Sequence, residues 1–381
     1  MSRGRPRLLG DGGTDMRVGV EAALVHGQML PGDVEVEDGR VVAVGLPGGM
    51  HGLVAIPGLV DIQTNGYGGV DFLSAATEDY RTAGEALLRA GVTAYQPTFI
   101  TADEATTVEA VRTMPTGNWG PRVLGAHLEG PFLSPERPGM HPVEHLRLPD
   151  VALLDRLLDA GHVTEMTLAP ELPGADSLIG RLRERGVVVS AGHTNATAEE
   201  AKRGFDLGIA GVTHVFNAMR PLSSRDPGVI GAALTRPDVI VKVIVDGHHL
   251  AYETVQIVWA CTAGRAALTT DAMAGAGAGD GIYRFGSVEV EVKAGAAPIR
   301  EDGTISGSVL SLIDAVRNLH RLGVPFEQAV GAATTVPARL LQRDDVGVLE
   351  PGGPADIVVL DDRLDIQTVL CAGRPEVVAR A

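Results

Sequence analysis

The feature that most constrains this chain is a unit that recurs along it: a short run rich in β-branched residues, closed by polar residues and followed by a helical stretch. The runs are Leu59–Gln63, Val92–Gln96, Arg122–Glu129, Val163–Ala169, Val187–His193, Ile209–His214, Val239–Asp246 and Ala267–Asp271. Most are nearly continuous in Val, Ile, Leu, Ala and Thr, the pattern of strands buried on both faces of a parallel sheet. Between them, Thr77–Arg89, Asp103–Met114, Pro149–Ala160, Thr197–Leu207 and Ala251–Ala263 carry helical spacing. Thr197 followed by Glu200 predicts a capping box at one helix start. Eight strand-then-helix units over roughly 280 residues predict an α/β fold built on a (β/α)8 TIM-type barrel. A doubly wound open sheet is the rival. It would set a glycine-rich phosphate turn after its first strand and gather its ligand at one switch point. Here polar residues end many different strands, which favours the barrel.

The two ends of the chain follow another pattern. Residues 16–56 and 344–381 alternate apolar and polar residues in short strands, and Asp38-Gly39 is a hairpin signal. We expect these segments to meet in one small β-sandwich domain beside the barrel, which would occupy residues 57–343. Residues 276–303, Gly/Ala-rich and then alternating Val with Glu, predict a β-hairpin inserted after the eighth strand. Residues 1–15 are expected to be disordered.

Composition removes whole classes of function. The net charge of −16 argues against a nucleic-acid groove or an anionic membrane surface as the main partner. A small anion held by local basic groups remains compatible with it. Two cysteines, Cys261 and Cys371, are too few for a disulfide framework or a cysteine-based zinc site, so a reducing cytoplasm is the expected compartment. Arg3, Arg5 and Arg7 lead into Gly10-Asp-Gly-Gly with no apolar stretch of the signal-peptide kind. No apolar run reaches the ~18–20 residues that span a bilayer. Lysine is scarce: only Lys202, Lys242 and Lys293.

Active sites of such barrels lie at the C-terminal ends of the strands. The polar residues there are Gln63 and Asn65 after strand one, His127 and Glu129 in strand three, His193 ending strand five, His214 ending strand six and Asp271 ending strand eight. Glu129, His193 and His214 make a three-ligand set for a catalytic divalent metal, with a fourth position left for water. Their separations have no local-motif value; only the barrel would bring them to one mouth. A carboxylate beside them, Asp271, can take a proton from water and later deliver it to a leaving amine. The alternative for Asp271 is a turn cap. His127 shares the face of Glu129 by alternation, and either packs in the barrel interior or supports a ligand.

Several motifs together narrow the reading. Pro57-Gly-Leu-Val-Asp-Ile-Gln-Thr-Asn-Gly, His127-Leu-Glu-Gly-Pro-Phe, Gly192-His-Thr-Asn-Ala-Thr, Thr213-His-Val-Phe-Asn-Ala-Met and Thr270-Asp-Ala resemble the amidohydrolase superfamily. Within it, they resemble the N-acetylglucosamine-6-phosphate deacetylases, over essentially residues 16–379. The resemblance implies Glu129, His193 and His214 as metal ligands and Asp271 as the catalytic acid/base. It implies that His141 contacts the substrate and helps polarise the scissile carbonyl. It further implies that Asn217, Ala218 and His249 contact the sugar phosphate. Arg225 would reach the phosphate in the neighbouring subunit of a homodimer, and Ile305 would line the acetyl pocket.

One departure from the wider superfamily matters. Many members carry His-x-His after strand one, where this chain has Gln63 and Asn65, and binuclear members often bridge their metals with a lysine ending strand four. Strand four here has no lysine. Both differences point to one divalent ion per subunit, with Gln63 and Asn65 supporting the ligands. Zn2+ is the first choice, and Fe2+, Co2+ and Mn2+ suit the same ligands. The implied activity is hydrolysis of the acetamide of N-acetylglucosamine 6-phosphate. A deacetylase of N-acetylgalactosamine 6-phosphate, or another amidohydrolase acting on a phosphorylated amide, is the alternative.

Overall fold

A computed structural model describes residues 16–262, 264–300 and 303–378. Residues 1–15, expected to be disordered, lie outside the described residues. Eight strands pair in parallel and in chain order: Leu59–Thr64, Val92–Ile100, Ala126–Glu129, Val163–Leu168, Val188–Ala191, Gly211–Val212, Ile240–Val243 and Ala266–Leu268. The third strand is entered through Arg122–Val123, which also pairs with the second, and Gly125 (φ 107°) breaks the two pieces apart. The eighth strand returns to the first at their ends. Asp271 N–H donates to Gln63 O at 2.9 Å, and Thr64 bridges Ala272 in parallel.

A helix follows each strand: Asp79–Arg89, Glu104–Thr113, Val151–Leu158, Ala175–Glu184, Ala198–Leu207, Gly228–Thr235, Tyr252–Thr262 and Leu312–Arg321. Local chemistry sets several starts. The Asp103 carboxylate caps Thr106 N–H, and Asp150 caps Ala152 and Leu153. Thr197 and Glu200 form the expected capping box. The helix Gly228–Thr235 has no polar face, because six of its eight residues are buried. Its apolar run lacks the 3.6-residue alternation that marks a surface helix in a sequence.

The strands run shorter than the apolar runs at their C-terminal ends. His193, His214 and Asp271 lie past the last ladder residues, with φ of 47°, 27° and 49°. Each chain segment therefore leaves the sheet through a left-handed residue, which lifts the side chain off the strand direction. Such backbone is costly for non-glycine residues and persists where the surroundings enforce it.

The terminal segments build two sheets around one apolar core. A six-stranded sheet runs in the order 374–378, 366–371, 357–360, 50–57, 20–25 and 28–31, so Ile357–Leu360 joins antiparallel to Met50–Pro57. The other sheet holds Met16–Arg17, Asp33–Glu37 and Arg40–Leu46. Val20, Val34, Val36, Ile357 and Leu370 fill the space they share. Asp38 and Gly39 form the tight turn, both at positive φ, as a hairpin with the type I′ twist requires. Between the eighth strand and its helix, Gly281–Phe285 pairs antiparallel with Val288–Val292.

The side chains packed along one face of the parallel strands are layered. At their N-terminal ends Val60, Ile62, Ala94, Val188, Ile240 and Ala267 pack with Val336 and Leu340. The next layer is polar, and one of the three lysines is in it. Lys242 Nζ, with no exposed surface, lies 2.8 Å from Glu165 Oε1 of the fourth strand. Ser190 Oγ donates to the same oxygen at 2.6 Å, and the Gln96 amide reaches Glu165 Oε2 at 2.9 Å. Burial opposes the Glu165 charge, but the Lys242 ammonium together with the hydrogen bonds from Lys242 and Ser190 holds the carboxyl below its usual range. The lysine that strand four lacks is thus supplied to that strand's glutamate by strand seven, one layer beneath the strand ends. Losing one partner of such a pair is far costlier than replacing both. Lys242→Met should lower the free energy of urea unfolding by about 3–5 kcal/mol. The double variant Lys242→Met, Glu165→Gln should recover at least half of that loss; equal losses in single and double variants would show that the ion pair is not the source.

Candidate metal centre and active-site cleft

Three side chains from three strand ends converge on one point. Glu129 Oε1 lies 3.0 Å from His193 Nε2 and 2.9 Å from His214 Nε2, and the two nitrogens are 3.1 Å apart. All three residues are buried. Glu129 is the last residue of the third strand, whereas the two histidines reach it from left-handed turns just beyond the fifth and sixth strands. Gly139 makes room for the His193 ring. A Cβ at that glycine, whose φ is 54°, would stand 2.9 Å from His193 Cε1.

The donor set fits a divalent cation. His193 Nδ1 faces the carbonyl of Arg137 at 3.1 Å; as a donor there, it leaves the Nε2 lone pair pointing into the cluster. A carboxylate oxygen and two imidazole nitrogens at about 3 Å from one another repel unless a cation or protons lie between them. Burial works against the Glu129 charge, but where protons take the place of a cation the His193 and His214 rings donate to it and hold the carboxyl well below its ordinary range. Glu129, His193 and His214 form the one group with metal-binding geometry found among the described residues. One carboxylate and two imidazoles are a familiar zinc-type set.

Asp271 stands beside this cluster. Asn65 Nδ2 donates to its Oδ1 at 2.7 Å and Gln63 Nε2 to the same oxygen at 3.1 Å. Gln63 Nε2 also lies 3.3 Å from Glu129 Oε2, so one amide links the aspartate to the carboxylate of the cluster. Burial, then the Glu129 charge, raises the Asp271 carboxyl above its usual range.

His141 completes the arrangement from a loop. Thr101 N–H donates to its Nδ1 at 3.1 Å, which puts the ring proton of the neutral form on Nε2, 3.9 Å from Glu129 Oε1. Burial and the neighbouring His193 keep this ring uncharged by pushing it well below the usual histidine range. The sequence pattern alone carries no sign of this tautomer, because Thr101 is 40 residues away.

The other sequence-derived positions separate into two groups. His141, Asn217, Ala218, His249 and Ile305 line the same cleft of about 290 Å³ as Glu129, His193, His214 and Asp271. The His249 ring is held by Asp246, with Nδ1 at 2.7 Å from Oδ2. Arg225 is outside this cleft, exposed on a loop that an Arg220–Asp226 ion pair of 2.6 Å braces. His127 is not in the cleft: it is wholly buried beneath Glu129, between Thr98 Oγ1 at 3.2 Å and Thr167 Oγ1 at 2.7 Å. Burial and Lys242 lower its pKa to about 4, so it is a neutral interior ring. Ile100, Met140 and Phe285 also line the cleft and were absent from the sequence-derived set. As apolar residues they carry no chemical signal in a sequence.

Residues 54–378 match the Amidohydrolase family. The N-acetylglucosamine-6-phosphate deacetylase of Vibrio furnissii is 34% identical over 349 residues, covering 90% of this chain and 87% of that protein. The N-acetylgalactosamine-6-phosphate deacetylase of Escherichia coli O157:H7 is 36% identical, covering 84% and 86%. Among solved structures, a mutant N-acetyl-D-glucosamine-6-phosphate deacetylase of Mycobacterium smegmatis in complex with N-acetyl-D-glucosamine 6-phosphate superposes with a TM-score of 0.91. It is 34% identical, and the match covers 96% of this chain and all of that one.

A ligand that binds only the folded chain raises its stability. Zn2+ added to chelator-stripped protein should therefore raise the thermal midpoint, with about 2.7 kcal/mol of stabilisation at a hundred times Kd. His193→Ala and His214→Ala should each abolish that rise. An undiminished shift in both variants would locate the ion elsewhere.

Proposed function

Because the chain belongs to the amidohydrolase family, and its relatives of 34–36% identity are amino-sugar-phosphate deacetylases, we propose that it removes acetate from N-acetylglucosamine 6-phosphate. The products are glucosamine 6-phosphate and acetate. The observation that carries this reading is the convergence of Glu129, His193, His214, Asp271 and His141 in one cleft. Consecutive parallel pairing and the contact of the eighth strand's exit with the first support a closed (β/α)8 barrel, with the cleft at its C-terminal mouth.

Glu129, His193 and His214 would hold one divalent ion, Zn2+ first among Zn2+, Fe2+, Co2+ and Mn2+. When bound, the ion supplies Lewis acidity toward the amide carbonyl and makes water a better nucleophile near neutral pH. The Gln63 and Asn65 amides both donate to Asp271 Oδ1, which leaves Oδ2 for proton transfer. Asp271 accepts a proton as water oxygen bonds to the carbonyl carbon. It returns that proton to the sugar nitrogen as the C–N bond breaks, so atoms and charge balance over the cycle. His141, with its proton on Nε2, donates to the developing oxyanion. As a neutral ring, it does so without losing a proton it would need to recover.

The sugar phosphate lies toward Asn217, Ala218 and His249. Arg225, exposed on one chain, reaches the phosphate bound by a neighbouring subunit in a homodimer; its planar fork matches a phosphate in charge and shape. A cytoplasmic location suits a phosphorylated substrate and a chain with only two cysteines, Cys261 and Cys371. No helix of the described residues is long and apolar enough to cross a membrane. The galacto epimer is the second reading, favoured by the E. coli relative, and both sugars belong in the assay.

Acetate release should be far faster from the 6-phosphorylated than from the unphosphorylated amino sugar; no release from either epimer's 6-phosphate would overturn the proposal. Asp271→Asn should fold and bind substrate but lose at least a hundredfold in kcat, the scale of general acid–base catalysis. Near wild-type kcat would remove Asp271 from the chemistry. Arg225→Ala should raise KM about tenfold or more, as expected for loss of a charge-assisted contact, with little effect on kcat. An unchanged KM would exclude the shared site.

A further inference from the structure

The cleft has two chemically different walls. Asn217 and His249 bring polar side chains to it, whereas Ile100, Met140, Phe285 and Ile305 are apolar, and the first three of these pack in one apolar cluster. An amide is planar and its two substituents point away from each other. A carbonyl carbon placed between Asp271 and the Glu129–His193–His214 cluster therefore sends the sugar one way and the acyl chain the other. The phosphorylated sugar requires the polar wall, so the acyl chain faces the apolar one.

That wall is closed from behind. Ile100 ends the second parallel strand and Phe285 ends the first strand of the hairpin; both are buried against Met273, Val290 and Val292. The turn after Phe285 leaves no slack. Gly286, at φ 60°, packs so tightly that an added Cβ would come within 2.8 Å of Ile100 Cδ1. Its N–H also points to Asp71 Oδ1 at 3.5 Å, beside a carboxylate anchored by Ser74. The hairpin thus presses a rigid aromatic ring against a strand-end residue, and neither can recede without disturbing the cluster behind them.

We propose that Phe285, carried on the hairpin, and Ile100 form the end stop of the acyl subsite and restrict the substrate to a two-carbon acyl group. This rests on the deacetylase reading and deepens it, because it makes the hairpin a specificity element. One extra methylene in an apolar pocket changes discrimination by about 10- to 200-fold, and overfilling a packed site is also unfavourable. N-propionyl and N-butyryl glucosamine 6-phosphate are therefore rejected progressively.

The test measures kcat/KM by amine release from the N-acetyl, N-propionyl and N-butyryl sugar phosphates, and affinity for the same three by calorimetry. The wild-type protein should prefer acetyl over butyryl by about a hundredfold or more. Phe285→Ala should reduce that preference at least tenfold, through a gain on the butyryl sugar. Phe285→Leu should shift it in the same direction by less, and serves as the test if the alanine variant fails to fold. A preference within threefold of wild type in folded Phe285→Ala or Phe285→Leu would overturn the end-stop assignment. Absence of turnover on all three sugars would refute the deacetylase reading instead, and the ratio of calorimetric affinities would still decide the role of Phe285.

Discussion

A buried carboxylate held between two imidazoles joins the ends of three separate strands. Glu129 Oε1 sits within about 3 Å of His193 Nε2 and His214 Nε2, though the residues are 64 and 85 positions apart in the chain. No local preference of the sequence favours that grouping; the order of the parallel strands imposes it. Neighbouring strands deliver their ends about one strand spacing apart, and left-handed residues at His193, His214 and Asp271 then turn the side chains inward. The strain in these turns and the burial of charge are both unfavourable, and the packed parallel strands and surrounding helices must enforce them.

The interior below the site is organised to permit this. An apolar plug fills the N-terminal end, the Lys242–Glu165 pair with Ser190 and Gln96 forms the middle, and the threonine-bracketed His127 lies next to the cluster. Each polar group in this stack has a partner, which is the condition under which a buried network specifies a single arrangement. The functional groups are themselves oriented by neighbours: Thr101 sets the tautomer of His141, the Arg137 carbonyl orients His193, and Gln63 and Asn65 hold Asp271. At the position where relatives of the wider superfamily can carry histidines, this chain has amides. They act as hydrogen-bond donors to the carboxylates of Asp271 and Glu129.

Much of this was legible before the fold was known, and the reasons differ by residue. The parallel strands could be read because burial on both faces leaves near-continuous apolar runs. The capping box at Thr197 and the turn at Asp38-Gly39 are local, so a few adjacent residues suffice. Glu129, His193, His214 and Asp271 could be found because polar residues at strand ends are conspicuous against those runs. Lys242 is plain in the sequence but its place is not, since its partner Glu165 is 77 residues away and neither lies in a motif. The apolar helix Gly228–Thr235 offers no amphipathic period. Phe285 and Ile100 are ordinary core residues until the hairpin brings them to the cleft. What escaped the sequence is long-range or apolar, or concerns which nitrogen of a ring carries the proton.

Glu129, His193 and His214 are proposed to make a one-ion centre, with Gln63 and Asn65 acting as hydrogen-bonding amides in place of a second set of ligands. The most direct measurement is elemental analysis of stripped protein reconstituted with increasing equivalents of Zn2+, with acetate release followed at each step. Activity should reach its plateau at one ion bound per chain. Activity that rises only as a second ion is bound per chain would contradict it.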